Sequence, residues 1–443
     1  MTINNSFEQK FNITKLLKFS FPSIFMMLVL SMYQCIDGLF VANYVDTNAI
    51  GAINIVYPFI FIGLGISLMI GSGGSALIGK LLGEGNIKKA NSTFSFIVFV
   101  SILISLFTGI AGFIYLDKLV LFLGATEVYF EMAKTYLGIH LIFIIFYYLQ
   151  NIFQTLFITA SKPKLGLVTT LIAGVINILL DYLLIAVFNF GIKGAAIATG
   201  ISYLIPSLTG LMYFLFSKKS LLKFTKFNFD IRCLGRVFMN GSSEMLSNIA
   251  NSVSTFLFNY QFYRFYLDVG VDSITIVLYF QFLVSSMMYG FASGIAPIIS
   301  YKYGKKEEVE IKELRNKGIT IISVMSVFCF CLSLVLISPI TKLFSGGSIE
   351  VYNLIKGNFI YFAFSLLFMG ISVFISSYFT ALNDGITSLI ISTLRTLVFL
   401  SLCLIVLPKL FSKSGLWIAT TVAECLGVLV SISIILYKKT IST

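Results

Sequence analysis

The stretch GSGGSALIGKLLGEGN, Gly71 to Asn86, decides how this chain is read. Gly74, Gly79 and Lys80 stand in the spacing GxxxxGK of a phosphate-cradling loop, the mark of a nucleotide-driven enzyme. The residue after Lys80 is Leu81, where a Ser or Thr hydroxyl should hold Mg²⁺. Such a loop must also follow a strand and open a helix. What precedes it is residues 47–79, an apolar run without a single charged residue.

The rest of the chain has the same character. Hydrophobic residues make up 58% of the 443 and charged residues 11%, against roughly 25% charged in an ordinary soluble domain. So little polar surface cannot keep a globule in water, and the composition is that of a polytopic membrane protein. Flanking charges mark off twelve segments: residues 19–45, 47–79, 92–116, 135–161, 165–192, 194–217, 237–263, 273–301, 318–341, 357–383, 385–408 and 414–437. Each exceeds the ~20 residues a helix needs to cross the hydrocarbon core. Barrel strands of ~10 alternating residues look different, so the expected fold is an all-α membrane protein with twelve transmembrane helices.

Charge orients the segments. With the N-terminus inside, 22 of the 31 Lys and Arg fall on the inner side, 8 outside, and Arg395 lies within a helix. That asymmetry places both termini in the cytoplasm, and it accounts for the net charge of +12 without a nucleic-acid partner. The first apolar segment is too long for a signal-peptide core. The six cysteines, Cys35, Cys233, Cys329, Cys331, Cys403 and Cys425, form no CxxC, and most lie within helices; they read as reduced thiols.

A repeat runs through the chain at a constant offset of 221. INIVYPFIFI from Ile53 lies over ITIVLYFQFL from Ile274, FITA ending at Ala160 over YFTA ending at Ala381, and GAAIAT from Gly194 over GLWIAT from Gly415. The expected organisation is a six-helix lobe over 1–217, a basic cytoplasmic linker over 218–236 and a second six-helix lobe over 237–443. An even number of helices per lobe gives both lobes one orientation, related by a pseudo-twofold axis along the membrane normal. The opening stretch then reads as the cytoplasmic end of the second helix. Gly73 and Gly83 meet Gly294 and Gly304 at the offset, in a second-lobe segment that has no GxxxxGK. Small residues there allow close helix packing.

Six ionisable residues lie inside the segments: Asp37, His140, Asp181, Glu244, Arg395 and Glu424. A charge at a helix centre costs roughly 2.5–3.5 kcal/mol on insertion scales, so each needs a reason. Asp37 and Asp181 lie at a shared depth, ~24–27 Å from the inner ends of their helices. Asn177 stands one turn before Asp181, and Thr199 reaches a similar level on the next helix. Two carboxylates, an amide and a hydroxyl suit Na⁺, or a proton shared between buried acids; the alternative is a polar plug that only holds helices together. At the repeat offset Asp37 and Asp181 correspond to Phe258 and Leu402, while Glu244, Arg395 and Glu424 correspond to Ser23, Gly174 and Tyr203. The lobes share a scaffold but not their buried charges, which favours function over scaffolding for the acids.

In the second lobe Arg395 and Glu424 both fall near the bilayer middle, where an ion pair is expected, either structural or part of cargo handling. Glu244 reads equally as a partner for Arg395 or a cation contact. His140 reads as a hydrogen-bonded interior residue rather than a proton relay. Tyr147, Gln150, Asn151 and Gln154 recur at helical spacing in YYLQNIFQT, a strip that suits either a cavity wall able to meet an organic cation or interhelical packing.

QCIDGLFVANY in the first segment, LIGKLLGEGNIKKAN at the end of the second, NILLDYLLI in the fifth and GAAIAT in the sixth carry a resemblance. Over essentially its whole length the chain resembles the multidrug and toxic compound extrusion (MATE) transporters. The resemblance implies two six-helix lobes around a V-shaped cleft, and export of small organic cations in exchange for H⁺ or Na⁺ by alternating access. It carries the first-lobe cation site onto Asp37, Asn177, Asp181 and Thr199, adds Gln154, and matches Pro22 to the proline about which some members bend. Members with an essential acid in the middle of the seventh helix place it deeper than Glu244, where this chain has the polar run NIANS. That departure favours coupling through the first lobe.

A related flippase for anionic lipid-linked precursors is the alternative. Such cargo favours several basic residues in the cleft, and this chain has Arg395 alone in its segments. With one His and no HExxH, an enzyme is not expected. The expected setting is a bacterial plasma membrane, as a monomer in contact with membrane lipid, with no cofactor, no nucleotide and no nucleic acid.

Overall fold

Because backbone polar groups in an apolar chain must be satisfied locally, the chain coils almost from end to end. The structure is a computed structural model describing residues 7–45, 47–344 and 348–441, apart from the side chains of 34, 35, 38, 39, 42, 43, 47, 48, 50 and 439–441. The side chain of Cys35 therefore lies outside the described residues, and the other five cysteines are free. Among the described residues there is no strand.

The helices are α1 (Ile13–Tyr44), α2 (Thr47–Gly83), α3 (Ile87–Ile114), α4 (Leu116–Phe122), α5 (Glu127–Ile142), α6 (Ile144–Thr159), α7 (Pro163–Asp181) and α8 (Gly191–Phe216). After an extended linker come α9 (Ile231–Gly304), α10 (Glu308–Phe344), α11 (Ile349–Ala363), α12 (Ser365–Ala381), α13 (Gly385–Thr393) and α14 (Leu400–Ile441). Two π-helical turns, Tyr182–Val187 and Leu394–Phe399, follow α7 and join α13 to α14.

Among the described residues, eight helices are long and apolar enough to cross a membrane, and ten spans result if each bent pair is one span. The pairs are α5 with α6, bent by 58°, and α11 with α12, bent by 44°. These are the fourth and tenth expected segments, which the sequence pattern reads as straight. Two long runs are also broken. Leu267 interrupts α9 at φ 55° and Ser412 interrupts α14 at φ 50°. A side chain in that region ends a right-handed helix.

The helix α9 begins at Ile231, so the last six residues expected in the linker are helical. Asp230 explains the start: its carboxylate accepts from the N–H groups of Arg232 at 2.9 Å and Cys233 at 3.1 Å, an N-cap. The short α4 is unforeseen by hydropathy; Asp117 on it pairs with Lys134 of α5 at 2.7 Å.

The repeat is visible in the helix starts. Ile87 and Glu308 open α3 and α10, and Ile144 and Ser365 open α6 and α12, each pair 221 residues apart. It is visible again where α2 packs on α9. A Cβ added to Gly83 would strike the carbonyl oxygen of Tyr301, and one added to Gly304 would strike that of Lys80. Higher in the seam Gly73 abuts Val237 and Gly241 abuts Met69 in the same manner. Only glycine permits backbones this close.

The seam does not run the whole length of the helices. Further along the seam Gly65 packs against Met245, and beside it Ser31 of α1 donates to Ser286 of α9 at 3.1 Å. One apolar core joins Ile70, Leu77 and Phe94 of the first half to Phe262, Phe291 and Phe374 of the second. A separate core, including Val41, Val56, Tyr136, Tyr148 and Tyr203, contains residues of the first half alone. The two halves share a core toward the Gly83–Gly304 end and part from one another toward the other. Large apolar side chains such as Phe107 and Phe122 stay exposed on the outside, as lipid-facing residues do.

Candidate functional site

Packing between α1 and α7 sets the register of the buried acids. Gly166 leaves room for Met26, where an added Cβ would come 3.2 Å from the sulfur, and Gly174 leaves room for Tyr33, at 3.3 Å from its ring. Residues three and four apart share a helix face, so one turn beyond Tyr33 brings Asp37 to that interface, and Asn177 and Asp181 continue it beyond Gly174. Asp181 and Asn177 are both fully buried. The structure places Asp37 within hydrogen-bonding reach of both Asp181 and Thr199.

Asp37 Oδ1, both carboxylate oxygens of Asp181, both side-chain atoms of Asn177 and the Thr199 hydroxyl are buried and have no partner among the described residues. The chemistry explains this: two ionised carboxylates are both acceptors and cannot bond each other without a proton or cation between them. Native proteins rarely leave buried polar atoms unpaired, so these six atoms together hold unused hydrogen-bonding and ion-binding capacity. Among the described residues no group of three or more His, Cys, Asp or Glu is arranged so that it could hold a metal ion. The donor set is thus two carboxylates with neutral oxygens, which suits a hard monovalent cation or H⁺ better than a transition metal.

Tyrosines surround the acids, and hydropathy does not mark them. Tyr136 lies within electrostatic reach of Asp37, Asp181, Tyr57 and Tyr147. Tyr33 reaches toward Gln150 and Asp37. Tyr147 and Tyr203 pack at 5.0 Å between ring centroids, and His140 meets Tyr147 edge-on at 5.0 Å and Tyr203 at 6.0 Å. His140 is an interior residue, as expected, and it packs between these two rings. Of the polar strip on α6, Gln150 turns toward this cluster, while Asn151 donates back to the Tyr147 carbonyl at 2.9 Å.

Gln154 is placed elsewhere. Its amide donates to the Thr170 hydroxyl at 3.2 Å. Thr170 precedes Asp181 by eleven residues, roughly 16 Å along the helix, so Gln154 joins α6 to α7 well below the acids. Pro22 lies inside α1, which continues helically through it.

Second-half charges form their own cluster. Arg395 Nη1 stands 3.5 Å from Glu424 Oε1, and Arg395 Nη2 donates to the Tyr289 hydroxyl at 3.2 Å. Glu244 lies within electrostatic reach of Arg395 without closing an ion pair. The face of α14 is cut away for the guanidinium stem at Gly427, where a Cβ would come 2.9 Å from Arg395 Cγ. Arg395 sits in one π turn and Asp181 immediately precedes the other. Such turns re-aim side chains and are frequent at functional sites; sequence periodicity does not reveal them.

Known proteins share this fold. The MatE family profile matches the chain twice, over residues 22–183 and 245–405, segments displaced by nearly the repeat offset. The chain is 22% identical over 434 residues to a protein of Staphylococcus saprophyticus named multidrug export protein MepA, covering 97% of this chain and 94% of that one. A protein of the same name from Staphylococcus aureus is 23% identical over equal shares. Among solved structures, one described as an outward-facing conformation of a multidrug resistance MATE family transporter superposes with a TM-score of 0.90, at 19% identity and 95% coverage of both chains. Two profile matches spanning most of the chain leave one assignment: it belongs to the MatE family, the multidrug and toxic compound extrusion transporters.

Proposed function

We propose that this protein is a secondary active multidrug efflux antiporter, exporting small organic cations in exchange for H⁺ or Na⁺. The observation that carries the reading is the unpaired set on Asp37, Asn177, Asp181 and Thr199 within a ring of tyrosines. A coupling ion satisfies the carboxylates when it binds. An aromatic surround beside negative charge suits an organic cation when the ion leaves.

In this reading the chain is two six-helix lobes, 1–217 and 237–443, joined by the segment 218–236. Dividing α9 at Leu267 and α14 at Ser412, and counting each bent pair once, supports twelve spans. The reciprocal Gly83 and Gly304 contacts support a pseudo-twofold between the lobes. The face carrying most Lys and Arg is cytoplasmic, with both termini there, in a bacterial plasma membrane. A seam closed at that face, with separate cores beyond it, supports an outward-open state. Pro22 is the candidate hinge. Arg395, Glu424 and Glu244 form a second-lobe charge network facing the cleft region, and Tyr147 and Gln150 belong to the cargo wall.

Ethidium efflux from proteoliposomes, under an imposed pH or Na⁺ gradient, tests the reading. Efflux driven by one gradient and abolished by Asp181→Asn supports it and names the ion. No efflux under either gradient, from folded protein, removes cationic drugs as cargo and moves the reading to a flippase for anionic lipid-linked precursors.

A further inference from the structure

The segment between α8 and α9, SKKSLLKFTKFNFD over residues 217–230, is not a loose tether. Its backbone is pinned along α3: the N–H of Lys223 donates to Asn91 Oδ1 at 3.1 Å and that of Thr225 to Ser95 Oγ at 2.8 Å. Its aromatic rings follow the same helix. Phe224 packs on Phe94 at 4.8 Å, Phe227 on Phe99 at 5.2 Å and Phe229 on Phe96 at 5.4 Å. Phe99 is twelve residues beyond the start of α3, roughly 18 Å along it. The segment therefore runs beside a helix long and apolar enough to span a membrane, and the climb along it would carry the segment into the bilayer boundary.

Extended backbone at that depth needs partners for its N–H groups. Among the described residues, the N–H groups of Lys226, Phe227 and Asn228 meet no protein acceptor. The same residues, with Phe224 and Thr225, line a shallow groove of about 640 Å³. Lys226 lines the groove and is exposed, Lys223 stands next to Phe224 in the chain, and Lys218, Lys219 and Lys223 of the same segment are exposed as well. The segment has one acid, Asp230, and its carboxylate is engaged in capping α9. Beyond the groove the exposed Phe99, Leu103 and Phe107 continue an apolar track up α3.

We infer that this groove seats one anionic phospholipid. The phosphate meets the free N–H donors and the ammonium groups of Lys223 and Lys226, and an acyl chain follows the α3 track. Charge complementarity and the donor row select an anionic lipid over a zwitterionic one. The inference rests on the chain being a membrane protein with this face at the bilayer boundary, and not on what it transports.

The test uses the purified full-length protein, with phosphatidylglycerol or phosphatidylcholine added and bound lipid counted by native mass spectrometry. Wild type should retain phosphatidylglycerol in preference to phosphatidylcholine. K223Q/K226Q should lower phosphatidylglycerol retention roughly tenfold. The control K15Q/K18Q removes two exposed lysines elsewhere near the same face and should leave retention unchanged. Equal losses in both variants would reduce the effect to general surface charge and overturn the seat. Unchanged retention in K223Q/K226Q, or equal retention of the two lipids, would overturn it as well. Since lipid binding is read without transport, an inactive exporter would not affect the outcome.

Discussion

Gly83 and Gly304 face each other across the α2–α9 seam, each directing its missing Cβ at a carbonyl oxygen of the opposite helix. The struck residues, Lys80 and Tyr301, are themselves 221 apart, so the contact is the same one made twice. Self-complementary contacts of this kind are what a twofold relation produces. The backbones touch where any larger residue would separate them.

Gly304→Leu should therefore open the seam. Forcing extra volume into a packed contact typically costs ~1–3 kcal/mol, enough to shift a two-state equilibrium roughly five- to 150-fold. The expected readout is faster labelling, from the seam side, of a cysteine placed at Ser300 in a cysteine-free background, together with reduced efflux. Labelling that stays at the Gly304 rate would show that the close approach is not needed to shut this end.

In the proposed coupling Asp37 and Asp181 share one site, so their losses should not add. Asp37→Asn, Asp181→Asn and the double variant should each bring gradient-driven efflux to background while the protein remains in the membrane. Asn177→Ala and Thr199→Ala remove neutral oxygens and should weaken apparent ion affinity roughly tenfold, one hydrogen bond to a charge being worth ~1.5–3 kcal/mol. Measurable coupled efflux from the double variant would remove the pair from the coupling step.

Gln150 and Gln154 separate structure from coupling on one helix. Gln154→Ala loses its bond to Thr170 and should cost about 1 kcal/mol of stability with ion dependence intact. Gln150→Ala, beside Tyr33, should change the ion concentration for half-maximal efflux. Thermal melts and ion titrations of both variants decide it; the reverse assignment would restore Gln154 to the cation site.

The Arg395–Glu424 pair makes a prediction about sign. Removing one partner leaves a buried unpaired charge, worth ~3–5 kcal/mol, so Arg395→Met and Glu424→Leu should each melt well below wild type. The double variant should recover most of that loss. If it also recovers efflux, the pair is structural; if it melts like wild type but does not transport, the charges serve cargo handling.

Outside the spans, Glu307 provides a pH test. Burial raises its carboxyl pKa, but Lys302, 2.8 Å away, and Lys305 outweigh this and hold it below the ordinary 4.5. A depressed carboxyl contributes stability that is present above its unfolded value and lost as pH falls through the folded one. The α9–α10 connection should thus loosen only below about pH 4.5, and Glu307→Gln should remove that acid-side loss. Hydrogen exchange of residues 305–310 against pH measures it.

The amino-acid sequence by itself determined that the chain is helical and belongs in a membrane, because 58% apolar residues and a scarcity of charge leave no other solvent. Repeat matches at one offset were legible for the same reason that helix starts recur, since identical scaffolds need apolar and small residues at identical places. Asp37, Asp181 and Arg395 stood out because a charge in an apolar run has no cheap explanation. Tertiary structure alone decided what surrounds them. Tyr33, Tyr57, Tyr136 and Tyr203 come from four helices, and no periodicity along one helix reports a neighbour on another. Gln154 and Gln150 are chemically alike and one turn apart; only the crossing of α6 with α7 and α1 sends the first to Thr170 and the second toward Tyr33. The bends at α5–α6 and α11–α12 and both π turns were equally silent, because hydropathy counts residues without registering the direction of the helix axis. Composition selects the solvent and the helix, whereas the partners of each polar atom depend on contacts between distant segments.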